Sequence, residues 1–395
     1  MVIKGLKYFK NAEIVFGWGA IQHVQNLGCR RAAILTDKRS MGRLGFVERL
    51  VSLLGESGAD SDVIISIERE PTTEDIDAGA AELSKFNPDW IIALGGGAVI
   101  DSAKAMWVLY EHPTLTKEQL FVPFAVPRLR RKARLVAIPS TSGTGSETSC
   151  AAVFVEPKDR TKRLILSFEI IPDVAILDPE IPTTMPPQVT ASSGMDALSH
   201  ALESYVYALS NDFSEAAAVQ ATRLILENLE KAYRDGKDKI AREKMHYAAT
   251  LAGIAINNSG TGLAHAMDHI GPRFGIPHGV ACAILLPYVM EFNLGSEVAR
   301  RKYADLARIL GLNGGEEKEL ALGLIEAVRE LEATLQLPQS IKEAGVAEED
   351  FFASLDLMVQ HSHQNVSARL SPRPPTPLEV RELYLRAYHG QQLKS

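Results

Sequence analysis

Cysteine is scarce in this 395-residue chain, and Cys29, Cys150 and Cys282 are widely separated. Three scattered thiols fit neither a disulfide framework nor a thiolate metal site. No apolar run approaches the length of a membrane span, and the first twenty residues lack the continuous apolar core of a signal peptide. These absences predict a soluble protein of a reducing compartment, most simply the cytoplasm, without a membrane partner.

An excess of basic residues is also missing. The chain has 42 Lys and Arg against 49 Asp and Glu, a net charge of −7. An acidic balance argues against a surface that binds polyanions, so no nucleic-acid partner is expected. The one basic run, "RLRRKAR" at residues 128–134, follows Pro127 and precedes an apolar strand, and we interpret it as a solvated loop.

What the sequence does contain is an alternation of strand and helix patterns in its first half. Short β-rich runs at residues 32–36, 62–67, 89–94 and 135–139 are separated by helical patterns such as 45–58 and 72–86. The runs are apolar throughout, which is typical of parallel strands covered on both faces. After four prolines between residues 179 and 187, nearly every segment has a helical pattern. We therefore predict an α/β domain with a mostly parallel, Rossmann-like sheet over residues 1–185, followed by an all-α domain over residues 186–395.

Two glycine-rich loops follow buried strands. Gly95, Gly96 and Gly97 stand between a strand and a helix that carries Asp101, and the loop "PSTSGTGSE" at residues 139–147 follows another strand. Glycines let a backbone approach a ligand closely, and a helix N-terminus offers free N–H groups to a phosphate. Two such loops at the ends of parallel strands predict a dinucleotide site, with a tight structural crossover as the alternative.

An acidic residue precedes these glycines instead of following them. Asp37 ends the strand "AAILTD", whereas the usual dinucleotide fingerprint places its acid about 20 residues after the glycines. If Asp37 faces the same crevice, its carboxylate would accept hydrogen bonds from a ribose and repel a 2′-phosphate, which favours NAD over NADP. The alternative is an ordinary cap of the next segment.

Histidines and one aspartate suggest a metal site in the helical half. Asp196 and His200 are four residues apart, so they share one helical face, and His265, His269 and His278 cluster in "GLAHAMDHIGPRFGIPHG". Carboxylate and imidazole ligands suit Fe(II), Zn(II), Mn(II) or Ni(II). A buried Asp–His hydrogen bond would explain the first pair alone, and spacing does not exclude His269 as a ligand.

Four segments together resemble a known family. "GGGAVIDSAK", "PSTSGTGSE", "GMDALSHALE" and "GLAHAMDHIGPRFGIPHG" are similar to signature segments of the iron-containing (group III) alcohol dehydrogenases. The resemblance extends over most of the chain and is closest to the alcohol dehydrogenase half of bifunctional aldehyde–alcohol dehydrogenases. It implies a dehydroquinate synthase-like architecture, a homodimer, and hydride transfer between NAD(H) and a small alcohol or aldehyde. The metal it implies is Fe(II), with Zn(II) as the alternative.

The resemblance also implies roles for individual residues. Asp196, His200, His265 and His278 match the metal ligands, and His269 matches a histidine near the nicotinamide and substrate that could relay a proton. Some cofactor-binding residues are implied by the resemblance, and others lie next to the matching motifs. Together they are Asp37, Gly95, Gly96, Gly97, Asp101, Ser140, Thr141 and Lys162.

The chain departs from the family pattern at a few positions. Ala98 replaces a usual serine after the glycines, Cys282 a usual asparagine, and Asp268 a usually small residue. None of these replaces a proposed ligand. Two other readings stay open: a glycerol, polyol or hydroxy-acid dehydrogenase of the same fold, and a relative that binds nucleotide or metal without turnover.

Overall fold

A six-stranded sheet organises the first half of the chain. The computed structural model describes residues 8–67, 71–156 and 162–391. Its strands are β1 (Glu13–Phe16), β2 (Arg31–Thr36), β3 (Asp60–Ser66), β4 (Trp90–Gly95), β5 (Arg134–Pro139), β6 (Ala151–Val155), β7 (Lys162–Leu166) and β8 (Val174–Leu177). The sheet has the order β1-β8-β5-β4-β2-β3, and all its described pairings are parallel. The predicted parallel sheet is confirmed.

Helices cover both faces of this sheet. The helices of this half are α1 (Phe46–Glu56), α2 (Thr73–Phe86), α3 (Gly97–Glu111) and the short α4 (Lys117–Leu120). Thr72 and Asp75 form a reciprocal capping box that starts α2. Because β4 lies inside the sheet, all six of its residues are buried, which explains its uninterrupted apolar sequence.

A two-stranded antiparallel sheet, β6 with β7, is an addition that the sequence patterns did not predict. Strand β6 contacts α3, and Ala152 and Phe154 are fully buried with that helix in one hydrophobic core. The opposite edge of this small sheet, β7, begins with Lys162.

The second half is helical throughout its described residues. Its helices are α5 (Pro187–Val206), α6 (Asp212–Arg234), α7 (Lys239–Asn257), α8 (Leu263–Met267), α9 (Ile270–Phe274), α10 (His278–Asn293), α11 (Glu297–Ile309), α12 (Glu317–Thr334), α13 (Glu348–Gln364), α14 (Val366–Arg369) and α15 (Pro377–His389). Helix α5 begins with proline, whose missing N–H costs nothing in the first turn. It packs against α6, α7 and α10, so every residue from Gly194 to Val206 is buried.

The three cysteines are free and buried, an environment in which thiols are usually inert. Within the described ranges, no single helix is long and apolar enough to cross a membrane. Helices α10 and α11 pass that test only as a pair bent by 116°, and only by length and composition.

Candidate metal centre and dinucleotide crevice

Three helices bring a set of metal-type donors together. Asp196 and His200 come from α5, His265 from α8 and His278 from the first position of α10. From Oδ1 of Asp196, the Nε2 atoms lie 3.5 Å away for His278, 3.6 Å for His265 and 3.9 Å for His200. The sequence-predicted ligands are therefore neighbours in space, although 82 positions separate Asp196 from His278 (278 − 196).

These distances fit a shared metal ion. Donor atoms about 2.1 Å from a tetrahedral metal lie about 3.4 Å from one another. Asp196 Oδ1 and His265 Nε2 are buried, and no described group forms a hydrogen bond with either atom. A buried carboxylate oxygen surrounded by imidazole nitrogens that do not donate to it has the chemistry of a ligand set.

A sulfur atom also lies at this cluster. Cys282, one turn after His278 on α10, has its Sγ 3.9 Å from Nε2 of that histidine. One donor atom from each of Asp196, His265, His278 and Cys282 lies within 4.8 Å of the others. His200 instead stacks on His265, with ring centroids 4.4 Å apart. The cluster thus offers five side chains as candidates for the few coordination positions of one metal ion.

A second carboxylate orients His265. Glu203 on α5 lies 2.5 Å from Nδ1 of His265 and accepts backbone N–H bonds from Gly262 and Ala264. Outer carboxylates of this kind fix the ring and leave Nε2 for a metal. Sequence reasoning did not single out Glu203, although Asp196, His200 and Glu203 recur at the spacing of one helical face.

Close packing of two helices brings His278 to Asp196. A β-carbon on Gly279 would collide with the backbone carbonyl of Ser192 on α5 and lie 3.3 Å from Cβ of Asp196. Only glycine lets the first turn of α10 approach α5 this closely.

Burial and the neighbouring charges shift the pKa values of the residues in this cluster in different directions. Burial raises the pKa of Asp196, but His200, His278 and His265 outweigh that effect and hold it below its usual range. Burial lowers the pKa of His200 to about 4. Burial also opposes a charge on His265 and His278, yet Cys282 and the nearby carboxylates hold both pKa values well above the usual one. A carboxylate that stays ionised is suited to a cation.

The two glycine-rich loops meet at the carboxyl ends of neighbouring strands. Gly95 pairs with Pro139 across β4 and β5, and the N–H of Ser140 donates to the carbonyl of Gly95 at 2.9 Å. A β-carbon on Gly96 would lie 3.5 Å from Thr141, whereas one on Gly97 would meet Thr144 at 2.8 Å. The predicted cofactor residues thus lie together at the carboxyl ends of the strands, where dinucleotides bind in open α/β folds. They are Gly95, Gly96, Gly97, Ser140 and Thr141.

Two predicted cofactor acids have partners within the protein. Asp37 accepts hydrogen bonds from the N–H groups of Arg39 and Ser40 and from the Ser40 hydroxyl at 2.7 Å. It therefore caps the turn after β2, the alternative raised from sequence. Asp101 is half-buried on α3 and accepts hydrogen bonds from the N–H of Val153 at 2.9 Å and from the Ser146 hydroxyl. Burial raises its pKa, against the opposing effect of Lys104. Roles for both acids in cofactor binding stay predictions.

Lys162 lies beside the histidine cluster, and His269 follows Asp268 directly in the chain. Nζ of Lys162 lies 2.6 Å from Oδ2 of Asp268, and His278 Nδ1 lies 2.5 Å from the same oxygen. Burial raises the pKa of Asp268, but Lys162 and His278 hold it below its usual range. The ring of His269 is 5.3 Å from that of His361, and burial, helped by His361, lowers its pKa to about 4.

Carboxylate and imidazole donors, together with glycine-rich loops at the carboxyl ends of parallel strands, are typical of an oxidoreductase that uses a metal and a nicotinamide dinucleotide. Residues 11–179 match the sequence profile described as iron-containing alcohol dehydrogenase, and residues 190–388 match the C-terminal part of that family. The chain belongs to the iron-containing alcohol dehydrogenase family, and it is a metal-dependent alcohol dehydrogenase.

Individual relatives agree with this assignment. The NADPH-dependent butanol dehydrogenase of Clostridium saccharobutylicum is 41% identical over 96% of this chain and 97% of its own length. The bifunctional aldehyde-alcohol dehydrogenase AdhE of Escherichia coli is 36% identical over 97% of this chain but only 46% of its own length, which confirms the predicted resemblance to one half of such enzymes. The iron-containing alcohol dehydrogenase of Thermococcus thioreducens superimposes with a TM-score of 0.90 at 40% identity, over 98% of this chain and 100% of that one.

Proposed function

We propose that Asp196, His200, His265 and His278 hold the divalent metal of this enzyme, Fe(II) in the first place and Zn(II) as the alternative. The observation that supports this most is the buried Asp196 Oδ1, which has three imidazole nitrogens 3.5 to 3.9 Å away and no hydrogen bond from the described residues. The substrate in this proposal is a small alcohol or its aldehyde.

The chain's own residues bind, orient and exclude water around the reaction. Lewis acidity toward the substrate oxygen is what a divalent metal supplies here, and hydride chemistry is what NAD(H) supplies. Asp196 contributes negative charge, and Glu203 keeps the ring of His265 in one orientation. The buried cluster keeps bulk water away from the reacting groups.

His269 is proposed as the residue that relays a proton between substrate and solvent. Its Nε2 is buried and has no hydrogen-bond partner among the described residues, which supports a role toward a bound group. The pH–rate profile of His269→Ala tests this role. Loss of the acidic limb supports the relay, and an unchanged acidic limb removes His269 from it.

NAD(H) is proposed in preference to NADP(H), which the name of the Clostridium relative specifies for that protein. The proposal is supported by the carboxylate of Asp37 at the end of β2, which is next to β4 in the sheet. A negative charge there would repel a 2′-phosphate.

We further propose that the domains divide at residues 185 and 186 and that the enzyme is a cytoplasmic homodimer. The family profiles support the division, since one ends at residue 179 and the other starts at residue 190. Strand β1, at one edge of the sheet, offers unpaired backbone groups that a second copy could meet.

Metal-dependent NADH formation tests the function. Metal-free protein would be reconstituted separately with Fe(II) and Zn(II) and assayed with ethanol, butanol, 1,2-propanediol, 1,3-propanediol, glycerol and 4-hydroxybutyrate. His265→Ala, checked for folding by circular dichroism, serves as the control. Turnover that depends on metal and disappears in His265→Ala supports the proposal, and equal turnover in the variant contradicts the ligand set.

A further inference from the structure

Asp268 stands at a position that the sequence marks as unusual for the family, and it is almost completely buried. Its side chain is 1% exposed, and its Oδ2 is shared between Nδ1 of His278 at 2.5 Å and Nζ of Lys162 at 2.6 Å. A buried carboxylate is costly unless it is paired and hydrogen-bonded. Both partners of this oxygen belong to the proposed site.

The bond to His278 fixes the state of that ring. Because the carboxylate of Asp268 accepts the N–H at Nδ1, Nε2 is the ring nitrogen that faces Asp196 Oδ1, at 3.5 Å, and that is left to bind a metal. His278 needs this support more than the other proposed ligands, because its side chain is 37% exposed whereas that of His265 is 11% exposed. Glu203 supports His265 in the same way.

Lys162 reaches Asp268 from the other half of the chain. It is the first residue of β7, in the small antiparallel sheet that packs on α3, whereas Asp268 ends α8. The ammonium group compensates the carboxylate charge at the point where the α/β part meets the metal cluster.

We infer that Asp268 is a positioning residue that holds His278 in the tautomer and orientation for metal binding, and that Lys162 supports it from β7. The inference rests on the proposed function, because it takes His278 as a ligand. It assigns Lys162 a role in metal binding that is separate from any contact with the cofactor.

Cobalt affinity provides the first measurement. Co(II) binding to metal-free protein would be measured by competition with a chromophoric chelator. Loss of an outer-shell partner typically weakens metal binding about 10- to 100-fold, which is the range expected for Asp268→Ala. Lys162→Met should weaken binding in the same direction, and the double variant should be no weaker than Asp268→Ala alone, because both changes break one chain of contacts. Arg163→Met, at the exposed next position of β7, is the matched control and should bind as wild type does.

Proton NMR of the Co(II)-loaded protein provides a readout that general damage would not reproduce. In water, the imidazole N–H protons of the ligands give strongly shifted signals that disappear in D₂O. Asp268→Ala should lose the His278 signal through exchange and retain that of His265, which is bonded to Glu203. Asp268→Asn, whose amide oxygen can still accept the bond, should retain both signals.

The outcomes separate this inference from the proposed function. If wild type binds Co(II), His265→Ala does not, and Asp268→Ala binds like wild type with both N–H signals, the inference is overturned and the ligand set stands. If wild type and His265→Ala bind equally, the ligand set fails and the inference fails with it. If Asp268→Ala does not fold, Lys162→Met decides: an affinity for Co(II) equal to that of wild type would also overturn the inference.

Discussion

Gly279 contacts the backbone of Ser192, with no side chain between the first turn of α10 and helix α5. This contact sets the distance between His278 and Asp196, which come from these two helices. The proposed metal site therefore depends on a residue that has no side-chain donor atom of its own.

Replacement of Gly279 should separate the two helices. We expect Gly279→Ala to destabilise the protein by about 1–3 kcal/mol, the usual cost of overpacking, and to weaken metal binding at the same time. Urea unfolding and Co(II) titration measure the two effects. Gly323→Ala on α12 is the control, since its β-carbon meets nothing within 4 Å and should stabilise the helix by about 0.5–1 kcal/mol. Unchanged metal affinity in Gly279→Ala would contradict the role given to this contact.

The choice between His200 and Cys282 as a metal donor can be made by cobalt spectroscopy. We expect the Co(II)-loaded wild type to lack the near-ultraviolet charge-transfer band of a thiolate ligand, because the proposed set contains only Asp196 and three histidines. Cys282→Ser should bind Co(II) within about threefold of wild type, and His200→Ala should lose about 100-fold or more in affinity. A strong thiolate band, lost in Cys282→Ser, would put the sulfur in place of the His200 imidazole.

Coenzyme preference should depend on the charge at residue 37 and not on its capping function. Asp37→Asn keeps an oxygen for the Arg39 and Ser40 N–H groups and removes the negative charge. We expect the ratio of kcat/KM for NADP over NAD to rise about tenfold or more, which corresponds to about 1.4 kcal/mol of lost repulsion. Asp37→Ala loses both the charge and the cap, so its Tm should fall below that of Asp37→Asn. The comparison of the two variants separates the effect of the charge from the effect of the cap. An unchanged ratio in Asp37→Asn would leave Asp37 a cap only.

His246 should make the protein less stable in acid. It is buried on α7 with Nδ1 3.1 Å from the Ser142 hydroxyl, and burial lowers its pKa to about 3. An unfolded histidine has a pKa of about 6.5, so below that pH the unfolded chain binds a proton that the folded chain does not. Stability is therefore lost as pH falls from about 6.5 toward 3.

The variant His246→Gln isolates this contribution. Between pH 7 and about pH 5, wild type should lose about 2 kcal/mol more of its unfolding free energy than the variant. Urea unfolding at the two pH values measures the difference, and the other titrating groups cancel in the comparison. Equal losses in the two proteins would show that His246 is protonated in the folded state.

The strands inside the sheet were predictable because both of their faces are covered. A strand that is buried on both faces needs an unbroken apolar run. Such a run is visible in Trp90–Gly95 without knowing which strands pair with it. The sheet of β6 and β7 escaped prediction because one of its strands begins with Lys162 and Arg163, and its stability comes from contacts with α3. Those contacts are tertiary and leave no periodic signal.

Local spacing likewise predicted half of the candidate site. Helical geometry alone places Asp196 and His200 on one face, and the same rule would have found Glu203. It could not place His278 beside Asp196, because that contact depends on how α10 packs against α5. Nor could it give Asp268 a partner, since Lys162 lies more than a hundred positions away and meets it only in the folded chain.

The three buried thiols can serve as intrinsic probes of local opening in three parts of the molecule. Cys29 lies next to Asp89 in the sheet half, the backbone of Cys150 is bonded to Asn257 of α7, and Cys282 adjoins the metal cluster. A thiol reagent can reach each of them only when the surrounding structure opens. The three labelling rates therefore measure how fast the sheet half, the junction between the halves and the proposed metal site open, in a single protein without substitutions.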